Sequence, residues 1–180
     1  MKKRFSFVLI FAMLASLLTA CGGAGETTVT GSAPAVEGSM EELLGKVIEE
    51  RPVEFAGGIT VVDLSDTSEE GLWSLKNYTG LDSAGAIADA AAFEPMMNAM
   101  AFSMVMVRAQ SGAESKTVAE AMKAGIDTRK WICVEADDLL VAGFGDVVLL
   151  VMVDSASGMT AQSFVDACQK VVGMEPDFVI

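Results

Sequence analysis

The chain has 180 residues, 52% of them hydrophobic, a formal charge of −13 and no histidine. Without histidine it can hold neither a Ser–His–Asp or Cys–His catalytic arrangement nor a HExxH zinc site. Its acidity disfavours nucleic acid and anionic lipid headgroups as partners.

Met1-Lys2-Lys3-Arg4 is a cationic opening, and Phe5 to Leu18 is uncharged and almost wholly apolar. That run is short for a bilayer span but suits the apolar region of a signal peptide. It ends in Leu18-Thr19-Ala20-Cys21 followed by Gly22-Gly23, which resembles the lipobox of bacterial lipoproteins. The resemblance implies cleavage after Ala20 and a diacylglyceryl group on Cys21. It also places the protein on the outer face of the cell membrane, anchored by lipid. One acyl chain holds a protein only marginally, whereas two anchor it stably, at about 0.8 kcal/mol per buried methylene. Losing the three cations of the signal takes the net charge from −13 to −16. Lipid then holds the protein at the membrane while charge keeps its body in water.

Residues 22–38 are rich in Gly, Ser, Thr and Ala and cannot bury a core. With Cys21 they read as a flexible tether with a reach of roughly 20–25 Å. Residues 39–180 are the length of a single domain. Ser39-Met40-Glu41-Glu42 has capping-box spacing, and Leu43, Leu44, Val47 and Ile48 form an apolar stripe behind it. Residues 55–64 read as strand or loop. Thr67-Ser68-Glu69-Glu70 offers a second capping box, with Leu72, Trp73, Leu75 and Tyr78 as its apolar positions and Gly80 as its stop. Two helices are therefore expected within 39–80.

Beyond them the chain repeats. A shift of 46 residues lays Val105-Met106-Val107 on Val151-Met152-Val153 and Ser111-Gly112 on Ser157-Gly158. Thr117 then falls on Ser163, and Ala121 on Ala167. Each unit, 84–130 and 134–173, reads strand–turn–strand–helix. The expected fold is α+β: duplicated ββα units in a four-stranded, mainly antiparallel sheet, with helices packed on it. Met100 to Val107 and Val147 to Val153 are apolar at odd and even positions alike, so both should be central strands covered on two sides. The N-terminal helices are the natural second cover.

With lipobox, tether, helices and paired strands in this order, Pro95-Met96-Met97-Asn98 between two strands resembles a family of short lipoproteins of Gram-positive bacteria. That family carries a C-terminal domain of unknown function, and the resemblance is greatest from Tyr78 to Val172. It implies no catalytic residue. The chain departs from the family pattern in having Phe102-Ser103 shortly after the Asn and Ala142-Gly143 at the hairpin.

Three chemical readings remain. Met97, Met100 and Met104 have a spacing suited to Cu(I), which soft thioethers bind. On a strand, however, Met100, Phe102, Met104 and Met106 share one face, and Ala101, Ser103, Val105 and Val107 the other. That is a packing pattern, leaving only Met96 and Met97 outside it. Glu135, Asp137 and Asp138 could perform carboxylate-dependent catalysis or bind calcium, but they read more simply as a solvated acidic loop. Cys133 and Cys168 read as unpaired core thiols, with a disulfide as the alternative. The favoured function is a non-enzymatic module of the cell envelope that binds an envelope protein or ligand. Its contact turn would be Pro95, Met96, Met97 and Asn98, where a flexible Met pair offers adaptable apolar contact and Asn98 an amide.

Overall fold

In the computed structural model, residues 35–111 and 113–180 are described. The expected signal segment, Cys21 and residues 22–34 of the expected tether lie outside them. Ser39 caps helix α1 (Met40–Glu50): its Oγ accepts from the Glu42 N–H, and the Glu42 carboxylate accepts from the Ser39 N–H. Helix α2 (Glu69–Thr79) starts one residue later than its capping box predicted. Ser68 is the cap, accepting from the Gly71 N–H, and glycine there has no side chain with which to complete a box. The α2 helix ends at Gly80, with φ of +78°. A Cβ at Gly80 would lie 2.6 Å from backbone atoms at the end of the next helix, so only glycine fits. Leu75 is buried beneath α2, but Leu72 and Trp73 face solvent, against the sequence reading. The helix covers the sheet with a narrower stripe than its apolar content suggested.

The strands are β1 (Gly57–Val61), β2 (Ile87–Pro95), β3 (Phe102–Ala109), β4 (Asp138–Phe144), β5 (Val147–Val153) and β6 (Phe178–Val179), in the order β1-β2-β3-β5-β4-β6. All neighbours are antiparallel. The sheet has six strands, not the four expected. β1 adds to β2 despite the Gly57-Gly58 pair that obscured it. β6, only two residues long, is held by its register with Ala142 and Gly143 and by reciprocal Ile180–Val141 backbone bonds of 2.8 and 2.9 Å. The Phe178 ring lies 2.3 Å from where a Cβ on Gly143 would stand, so that strand position must be glycine.

Central strands β3 and β5 are covered on both faces, as apolar residues at both odd and even positions require. Helices α3 (Ser115–Gly125) and α4 (Ala161–Val172) follow the two hairpins. α1 and α4 pack on one face with Phe102, Met104, Met106, Val151 and Val153. α2 and α3 pack on the other with Val105, Val107, Leu150 and Met152. The N-terminal helices are thus divided between the layers instead of forming one cover together.

The repeat survives as an order of elements but not as a symmetry. Val105 and Val107 face the α2–α3 layer, whereas their counterparts Val151 and Val153 face the α1–α4 layer. In each unit these valines point to the layer holding the helix that follows. α3 and α4 both pack on β4 and β5, from opposite faces. The first helix therefore moves forward onto the next hairpin, and the second folds back over its own. Met106 and Met152 consequently lie on opposite faces of the sheet.

Candidate functional site

The Ala56–Met96 and Val62–Ala90 backbone bonds fix the phase of the β1–β2 ladder. Residues 90, 92, 94 and 96 direct their backbone groups toward β1, and 91, 93 and 95 toward β3. Pro95 therefore lacks its N–H on the β3 side, beyond the last pair, Phe93 with Met104. Pairing stops there and the chain turns. Met96 is 78% and Met97 65% exposed; Asn98 and Ala99 are exposed and Met100 half-buried, before Phe102 re-enters the core. The Ile132 N–H donates to the Asn98 carbonyl at 3.2 Å, and the Ile132 residue is 67% exposed. The turn and the segment between α3 and β4 thus form one rim carrying three large exposed apolar side chains.

Beneath that rim lies a polar cluster that sequence reasoning missed. Lys130, whose side chain is 6% exposed, pairs with Glu94. It also donates to the Asn77 carbonyl at 3.0 Å and to Ser103 Oγ at 3.3 Å. Ser103, fully buried, donates to Glu94 Oε1 at 2.7 Å. The Tyr78 and Trp131 rings stand 5.6 and 5.5 Å from the ammonium. Burial lowers the Lys130 pKa, with the Glu94 carboxylate opposing that shift. An ammonium has three donors; all have acceptors here, and the Ser103 proton is also committed. The cluster therefore cross-links α2, β2, β3 and the 126–137 segment below the turn. Its one sequence signal was Ser103, a hydroxyl in an otherwise apolar stretch.

The other sequence candidates separate. Met104 is fully buried in the α1–α4 layer, Met97 is in solvent, and Met100 lies between them. Asp137 accepts from the Ser155 N–H and Oγ at 2.7 and 2.6 Å, and Asp138 from the Ala161 N–H at the start of α4 at 2.8 Å. Glu135 pairs with Arg129 at 3.2 Å, both exposed. Each carboxylate is thus engaged in local structure. Among the described residues no group of three or more His, Cys, Asp or Glu could hold a metal. Cys133 and Cys168 are both free. Cys168 is a core thiol, its pKa pushed up to about 12 by burial, but Cys133 is exposed, contrary to expectation. It sits at φ +64° just after Ile132, where the backbone reverses out of the core behind Trp131.

The chain enters the domain at the other end of the sheet. Asp146, in the β4–β5 turn, accepts from the Val36 N–H at 2.8 Å and pairs with Arg108. Arg108 also donates to the Gly38 carbonyl at 2.6 Å, and Asp89 accepts from the Met40 N–H at 2.9 Å. Residues 36–40 are thus clasped where β2 begins and β3 ends. Asp89 lies seven residues before Met96 along β2, which separates this clasp from the methionine turn by roughly 22–24 Å. Among the described residues no helix is long and apolar enough to cross a membrane. Comparison with protein-family models, with curated proteins and with solved structures finds no match.

Proposed function

We propose that the chain is a lipid-anchored extracytoplasmic binding module of the cell envelope, without catalytic activity. It is held to the membrane by lipid on Cys21 and meets an envelope protein or ligand through the Pro95–Asn98 turn. The observation that carries this reading is the rim itself. Met96, Met97 and Ile132 are exposed together on backbone that is hydrogen-bonded above a buried ion pair. Exposed apolar side chains on a braced support mark contact surfaces, and methionine adapts to varied partners. The lipobox at Leu18–Cys21 supports the anchor. The clasp at residues 36–40 supports a tether entering at the end opposite the rim. The short-lipoprotein resemblance agrees with both. Copper binding gains no comparable support, because Met97 and Met104 occupy solvent and core respectively.

The test joins anchor and rim. Membranes bearing the lipidated protein are treated with a short amine-reactive cross-linker, and the protein is recovered with its adducts. Met96→Asp with Met97→Asp should abolish a discrete adduct seen with wild type while leaving membrane retention unchanged. Cys21→Ser should abolish retention. Adducts identical in the Asp variant would remove the rim from the proposal, and retention of Cys21→Ser would remove the lipid anchor.

A further inference from the structure

The two edges of the sheet are unlike. β6 is two residues long, too short to template another strand. β1 is five residues, Gly-Gly-Ile-Thr-Val, with no charge and no proline, and among the described residues it has no neighbour on its outer side. The same ladder phase that places Pro95 turns the backbone groups of Gly58 and Thr60 inward to β2. Those of Gly57, Ile59 and Val61 point outward. Gly58 and Thr60 are exposed, and Val61 is 53% exposed. The devices that usually blunt an edge strand are absent from this one.

We propose that β1 is a pairing edge at which two copies of this chain join antiparallel, extending the sheet through a two-fold axis at Ile59. The assignment to a second copy rests on self-complementarity. With Ile59 opposite Ile59, Gly57 of each copy lies opposite Val61 of the other. All three outward-facing residues then meet outward-facing residues, giving about six backbone hydrogen bonds. Gly57 presents no side chain to the Val61 that faces it. The five paired residues carry no charge, so no carboxylate opposes another within the pairing. Five residues a side bury less than a standard stable interface, which places the dimer in the weak class. Confinement of many copies to one membrane raises their effective concentration, but the pairing itself does not depend on the lipid.

The test uses the chain carrying Cys21→Ser and Cys133→Ser, which leaves only the buried Cys168 as a native thiol. Thr60→Cys is added, since the two-fold sets these positions diagonally about 7–8 Å apart, within reach of a short bismaleimide. At about 100 µM, in the range of weak pairs, covalent dimer should form about tenfold more readily than from the exposed control Ser83→Cys. Adding Val61→Glu, at a side chain already in solvent, should return the yield to that of the control. Equal yields from positions 60 and 83 would overturn the proposal, as would a position-60 yield that Val61→Glu leaves unchanged. So would adducts in cells formed only with a different polypeptide, which would make β1 an edge for a foreign strand.

Discussion

Lys130 ties α2, β2 and β3 together beneath the rim. Removing Lys130 leaves the Glu94 carboxylate, whose side chain is 22% exposed, without its counter-charge, at a cost of about 1–3 kcal/mol. Lys130→Met should therefore lower stability by that order in urea unfolding. Lys130→Met combined with Glu94→Leu should recover much of the loss, because no unpaired charge remains; a double variant no better than the single would refute this role for the pair. Asp137 makes a prediction in pH. Its hydrogen bonds from Ser155 hold its carboxyl below the ordinary 3.8. A depressed carboxylate contributes stability that is fully present above pH 3.8 and is lost as pH falls through the lower folded value. Asp137→Asn should flatten that part of the stability profile between pH 5 and pH 2. A profile parallel to wild type would show that Ser155 does not hold the carboxylate in solution.

At the scale of elements, legibility followed how local the governing signal was. β5 could be read to the residue because seven consecutive apolar positions, bounded by Gly145-Asp146 and Asp154, suit a strand covered on both faces. β3 was displaced by two residues, since Met100 and Ala101 look like strand and are instead the last residues of the turn. β1 and β6 were obscured for different reasons: glycines weaken the first pattern, and the second is too short to have one. The layer occupied by each helix was not legible, because a period-two strand with apolar residues at every position does not say which face its own helix will cover. Nor was the Lys130–Glu94 pair, which joins residues brought together only by the tertiary fold. The methionine stretch divides at the end of β2. Phe102 meets the rings of Phe55, Phe93 and Phe164 at 5.2, 6.0 and 5.1 Å, so Phe102→Ala should cost about 3–5 kcal/mol. Met97→Ala, five residues earlier, should stay within about 0.5 kcal/mol. Comparable losses from the two in urea unfolding would deny that the turn lies outside the core.

At the scale of the whole molecule, the proposed function gives the domain a tether end and a contact end. Asp146, Arg108 and Asp89 hold residues 36–40 at one end of the sheet, and Met96, Met97 and Ile132 are exposed at the other. Such a layout suits a module that is tied down at one place and meets its partner at another. The most direct test places a photoactivatable cross-linking residue at Met97 in the lipidated protein, in cells, with the exposed Ser83 as control position. The account predicts a discrete adduct from position 97 that is absent from position 83 and is lost when Met96→Asp is added. Indistinguishable adducts from the two positions, or none from position 97, would contradict it.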